Sequence, residues 1–205
     1  MTGRPRLAWA GVAVAALPLA GGLTAHLRDA APLETLQWVW AGYALAGLPY
    51  LYVWRHWRGW GEGRRALVQL LVLAAASRAL LLLIPPILSE DVWRYLWDGL
   101  VQGEGINPYR FAPDEAALDG VSAAPGVLDV RASVGHGSIP TIYPPFAQWV
   151  FAATALAGPH LSVMRAVIAA ADVLTVWGLW RWAGAAGRPP QVAVLYALCP
   201  LAVME

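Results

Sequence analysis

The chain has 205 residues, 59% of them hydrophobic and 13% charged, with a formal net charge of +1 at neutral pH. Soluble domains carry about 25% charged residues, so this composition points to an integral membrane protein. The near-neutral charge excludes a strongly basic nucleic-acid binder, and the single cysteine, Cys199, leaves no intramolecular disulfide and no cysteine-based metal site.

A helix that spans a bilayer needs roughly 20 mostly apolar residues. Runs of this kind fall at about 7–25, 35–54 and 66–84, then at 142–157 and 161–180, with a last one over 190–205 that the chain end cuts. Arg4 and Arg6 flank the first run as they would a secretory signal, but the run is long for one and has no clean A-x-A site, so it reads as a retained helix. The expectation is an all-α, polytopic transmembrane protein of about five or six spans, forming a single domain over 1–205, with a large outer loop at 85–141 that carries short amphipathic interface helices. The chain end inside an apolar run predicts the N-terminal portion of a longer protein.

Orientation follows from the arginines, because cytoplasmic loops are enriched in them. Arg4 and Arg6 precede the first run, and Arg55, Arg58, Arg64 and Arg65 join the second to the third. Between the first and second runs Arg28 is balanced by Asp29 and Glu34. This places the N-terminus in the cytoplasm of a plasma (inner) membrane protein and 85–141 outside. That loop holds Glu90, Asp91, Asp98, Glu104, Asp114, Glu115, Asp119 and Asp129 against Arg94, Arg110 and Arg131. Arg181 and Arg188 disagree, since five crossings leave them outside.

The loop opens with SEDVWRYLWDGLVQGEGINPYRFAP, residues 89–113. Pro85 and Pro86 stop the preceding helix, Ser89 reads as an N-cap, and Glu90 and Asp91 fall in a first turn, where the helix dipole favours anions. Asp91, Arg94, Tyr95, Asp98 and Gln102 then share one helical face, and Trp93, Leu96, Trp97 and Leu100 the other, a pattern suited to the membrane interface. Gly103 and Gly105 end the helix and Asn107-Pro108-Tyr109 makes a turn. Capping and anchoring alone account for these residues about as well as a functional site does. The length of the loop favours function, as does its closure on GHGSIPTIYPPFAQ (135–148), where Tyr143-Pro144-Pro145 opens the next helix.

This order of motifs resembles the GT-C superfamily of membrane glycosyltransferases, especially the polyprenyl-phosphate-sugar-dependent mannosyltransferase-like proteins. The matching residues are Glu90-Asp91, Arg94-Tyr95, Trp97-Asp98-Gly99, Gly105-Ile106-Asn107-Pro108-Tyr109, Ile142-Tyr143-Pro144-Pro145, and Cys199-Pro200-Leu201 with Glu205. The resemblance implies transfer of a sugar, mannose by the closest likeness, from a polyprenyl-phosphate donor in the bilayer to an extracytoplasmic glycan or lipid acceptor. It implies Asp91 as general base with Glu90 beside it. Arg94, Arg110 and Arg78 become candidates for the donor phosphate, Tyr95, Asp98, Asn107 and Tyr109 for substrate contacts, and Tyr143, Pro144 and Pro145 for the acceptor side. Some relatives use a divalent metal, for which His136 with Asp91 is the candidate pair, although no metal-ligand spacing supports it and a solvated loop histidine is the simpler reading.

Arg78 and Asp172 lie inside apolar runs, where ionisable groups usually pair or face water; for Arg78, near the outer end of its run, snorkelling or a structural pair is favoured over a phosphate contact, and for Asp172 a structural partner such as Arg78 or Arg165. Two other classes compete with an enzyme. A transporter or flippase would concentrate acids at mid-membrane, where only Asp172 qualifies, and a non-catalytic membrane subunit would be indifferent to loss of Asp91.

Overall fold

The computed structural model describes residues 3–27, 32–82, 89–121, 127–158 and 160–203. Among them the regular structure is entirely helical: α1 Gly3–Leu27, α2 Pro32–His56, α3 Arg64–Leu81, α4 Asp91–Gly103, α5 Val127–Ala132, α6 Pro145–Ala155, α7 Leu161–Ala185, α8 Ala193–Ala197 and α9 Pro200–Val203. Short 3₁₀ turns cover Trp57–Trp60, Ala116–Leu118 and Pro190–Val192. The chain divides into two compact units, Met1–Ile87 with Ala169–Glu205, and Leu88–Ile168. Residues 85–141, expected as a loop, thus supply most of a folded unit. Pro85, Pro86, Arg28, Asp29 and Glu205 lie outside the described residues.

In the first unit α1 and α2 pack antiparallel at backbone contact distance. A Cβ on Gly21 would stand 2.5 Å from the Trp38 carbonyl oxygen, and one on Gly42 2.8 Å from the Pro18 Cα. Small residues permit such approach in apolar bundles, where close van der Waals packing replaces the hydrophobic drive. Leu7, Val53, Trp60, Ala66, Leu70, Val176 and Leu198 form the core beside them. Many large apolar side chains point outward instead, among them Trp9, Trp40, Leu48, Trp54, Val72 and Trp182.

The helices sort unevenly against the expected spans. α1 over Arg6–Thr24 and α7 are long and apolar enough to cross a membrane. α2 is as long as either, but Trp, Tyr, Gly and Pro dilute its apolarity. α3 carries Arg64, Arg65 and Arg78 within 18 residues. The run at 142–157 yields only the 11 residues of α6, about 16 Å of helix against a hydrocarbon core of about 30 Å. The run from 190 is broken into a 3₁₀ turn, α8 and α9. An apolar run shows that a segment avoids water; it does not show that its backbone stays helical throughout.

One end of the first unit gathers its exposed arginines. A Cβ on Gly59 would meet the Leu7 side chain at 3.7 Å, which brings the start of α1 to the turn after α2. Gln191 Nε2 donates to Glu62 Oε1 at 3.1 Å, which brings the segment after α7 to that turn as well. Arg6, Arg55, Arg58, Arg64 and Arg65 therefore share an end with Arg181 and Arg188, and all are exposed.

Away from that end, Arg78 is 4% exposed and its Nε donates to Asp172 Oδ2 at 2.6 Å. Its Nη1 donates to the Ala197 carbonyl at 2.7 Å, and the Tyr196 hydroxyl donates to Asp172 Oδ1. The expected structural pair is present and joins α3, α7 and α8. Removing one member strands a buried charge, at a cost of about 3–5 kcal/mol. Arg78→Met and Asp172→Leu should each lower the midpoint of thermal unfolding strongly, and the double variant should recover most of the loss.

The second unit packs α4 against α6 over a core of Val92, Leu96, Trp97, Val101, Leu118, Val130, Phe151 and Met164. The contact requires glycine at position 99, because a Cβ there would stand 2.3 Å from the Phe151 carbonyl oxygen and 2.9 Å from the Ala155 Cβ. Backbone cannot yield as a side chain tip can, so Gly99→Ala should destabilise this unit by about 1–3 kcal/mol, read as earlier loss of protection from hydrogen exchange in α4 and α6.

Candidate functional site

The head of α4 presents both acids. Ser89 Oγ accepts from the Asp91 N–H at 3.1 Å, so the serine holds the turn, but the N-cap falls one residue later than expected, at Glu90, which makes no side-chain cap bond. Glu90 and Asp91 are exposed, at the end of the helix whose free N–H groups favour negative charge. Glu90 also borders the closing loop: a Cβ on Gly135 would stand 3.3 Å from Glu90 Oε2.

The polar stripe of α4 is not turned to solvent or headgroups, as expected for an interface helix. Arg94 is 7% and Asp98 2% exposed, and Trp97, expected at headgroup depth, is a core residue. Arg94 Nε donates to Asp98 Oδ1 at 2.9 Å and its Nη2 to the Ile139 carbonyl at 2.8 Å. Gln148 Nε2 donates to Asp98 Oδ2 at 2.8 Å and to Thr141 Oγ1 at 2.9 Å. Gln102 Nε2 donates to the Gln148 Oε1 at 2.8 Å and to its backbone carbonyl at 3.0 Å. Buried charges persist when paired and fully hydrogen-bonded, and α6 supplies the partner that completes this set. Arg94 and Asp98 are thereby committed to the scaffold and fix the 139–143 segment over α4.

That segment delivers Tyr143. Its ring lies edge-on to Tyr95 with centroids 4.9 Å apart, and Tyr95 stacks on Phe151 at 4.6 Å. Burial first, then Tyr95, then the charge and hydrogen bonding of Asp91 hold the Tyr143 phenol above its ordinary value. Tyr143 therefore stays protonated near Asp91. Tyr109 Oη donates to the Tyr143 carbonyl at 2.5 Å, and Asn107 Oδ1 accepts from the Tyr109 N–H at 3.0 Å, so the Asn-Pro-Tyr turn braces the Tyr-Pro-Pro turn. Pro144 is extended and Pro145 begins α6, both exposed.

The remaining expected residues scatter. Arg110 is exposed, with its guanidinium 5.1 Å over the Phe111 ring. Arg78 belongs to the other unit and is held by Asp172. His136 is exposed with φ of 54°, and among the described residues no three His, Cys, Asp or Glu side chains converge as metal ligands. Gln148 and Thr141 were missed as contributors. The available signal was an amide placed inside an apolar run, the same signal that exposed Arg78 and Asp172.

A helical unit that brings two exposed carboxylates and a protonated tyrosine to one helix end is suited to handling a hydroxyl proton. Over residues 1–205 the chain matches the MptA_B family, described as alpha-(1->6)-mannopyranosyltransferase, N-terminal domain, and it belongs to that family. The chain is therefore a mannosyltransferase N-terminal domain, in line with the resemblance in its motifs. No curated protein and no solved structure matches it.

A raised phenol pKa favours the protonated form, so the proton is retained as pH rises through the ordinary tyrosine value near 10. Tyr143→Phe should lower kcat by about tenfold or more through loss of a donor while leaving the alkaline side of the pH–rate profile unchanged below about pH 10. A wild-type alkaline limb in that range that vanishes in Tyr143→Phe would contradict this placement.

Proposed function

We propose that this chain forms the membrane-embedded, N-terminal part of a GT-C-type enzyme that transfers mannose from a polyprenyl-phosphate donor to an extracytoplasmic glycan or lipid acceptor. Asp91 is the general base in this reading. It takes the proton of the acceptor hydroxyl as that oxygen bonds to the anomeric carbon, and the anomeric carbon–oxygen bond to the donor breaks to release polyprenyl phosphate. Tyr143 holds the Asp91 carboxylate, and Glu90 raises the local negative charge. Exposed Arg110 is the candidate for the leaving phosphate; Arg94, satisfied by Asp98 and Ile139, is reassigned from phosphate contact to positioning. The observation that carries the reading is the exposure of Asp91 beside Tyr143 while Asp98, the other acid of the helix, is consumed inside.

Within the first unit α3 leaves the arginine-rich end and α7 returns to it. α6, at 11 residues, is too short to span. This topology has four crossings, by α1, α2, α3 and α7, where the sequence suggested five or six with the segment from 190. It removes the conflict over Arg181 and Arg188, which fall with the other arginines on the cytoplasmic side of the plasma membrane, and the reading keeps residues 85–141, with Asp91, on the outer side. The mid-membrane acid that a transporter would need, Asp172, is bound by Arg78 and Tyr196.

The test is transfer of labelled mannose from a polyprenyl-phosphate donor by the full-length protein. Asp91→Asn should reduce turnover by about 10²- to 10⁴-fold with unchanged expression, and Glu90→Gln by less. Turnover equal to wild type in Asp91→Asn removes the base assignment.

A further inference from the structure

The arginine-rich end of the first unit is built like a receptor for anionic groups. Arg55 closes α2, Arg58 sits in the 3₁₀ turn with its guanidinium 5.0 Å over the Trp57 ring, and Arg64 and Arg65 open α3. Arg181 and Arg188 come from the end of α7 and the segment after it, which the Gln191–Glu62 hydrogen bond carries to the same turn. Among the described residues none of these six arginines pairs with a carboxylate, and Glu62, the acid in their midst, already accepts from Gln191. Trp54 and Trp182 flank the cluster, 60% and 68% exposed.

We propose that this end binds the anionic phospholipid headgroups of the leaflet it faces. The guanidinium groups take phosphate oxygens in forked pairs, and Trp54, Trp57 and Trp182 lie at headgroup depth. Three features favour a lipid over a soluble anion: the arginines are spread around the end rather than converging in a cavity, they are exposed, and outward-facing tryptophans accompany them. Stacking on Trp57 fixes the orientation of the Arg58 fork, which bidentate recognition rewards. The proposal rests on the membrane reading above but not on the chemistry at Asp91.

The purified chain, delipidated in zwitterionic detergent, is offered equimolar phosphatidylglycerol and phosphatidylcholine, and the retained lipid is measured by native mass spectrometry. Phosphatidylglycerol should be retained preferentially, by about fivefold for each engaged arginine. Arg58→Gln/Arg64→Gln/Arg65→Gln should cut the preference at least about tenfold. Should that variant unfold, raising the salt on wild type to about 0.5 M, where screening shortens to a few ångströms, should weaken the preference in the same direction. Equal retention of the two lipids overturns the proposal, as does a preference that survives both the variant and the salt. Displacement by millimolar inorganic phosphate also overturns it, since it would identify a soluble anion site. Sugar transfer measured on the same triple variant separates the two readings: lost lipid preference with retained transfer leaves the catalytic assignment standing.

Discussion

Burying Arg94 beside Asp98 takes two ions out of water, and the second unit is arranged around meeting that cost. A buried ion pair is worth keeping only where its remaining donors and acceptors are also satisfied. Asp98 supplies two oxygens, one for Arg94 and one for Gln148. Arg94 turns its other arm to the Ile139 carbonyl, and Gln148 spends its amide on Asp98, Thr141 and Gln102. Between them these bonds reach α4, α6 and the 139–143 strap, which are fixed by one set of polar atoms. Gly99 allows the approach of α4 and α6 that makes the set possible. The exposed acids at the head of α4 thus stand on a helix that this network holds in place.

How far this was legible in the sequence depends on the range of each interaction. The bounds of α4 could be read from Ser89, the two acids and Gly103, because capping and termination are local. The Arg78–Asp172 pair could be anticipated because a charge in an apolar run needs a partner nearby. The burial of the Arg94 stripe could not. Its helical spacing was visible, but the residue that buries it, Gln148, lies 50 positions beyond Asp98 in a segment whose apolarity suggested a lipid-facing span. The same apolarity concealed the shortness of α6.

The two units divide the labour that the family assignment implies. The first places apolar side chains outward and keeps the Arg78–Asp172 pair internal, as suits a lipid-facing bundle. The second keeps a water-soluble style of core, with Trp97 and Leu96 fully enclosed and a dense side-chain hydrogen-bond network. The first unit's exposed arginines gather at one end, away from its buried pair.

The bonds around α4 also differ in how much chain each must close. Arg94 to Asp98 spans 4 residues and forms as soon as the helix turns. Tyr109 to Tyr143 closes 34 residues and Asp98 to Gln148 closes 50. Loop closure makes long-range contacts slower to form than local ones, so the bonds that tie α4 to 139–148 depend on more of the chain than the pair within α4 does. Docking of α6 completes the polar network around α4.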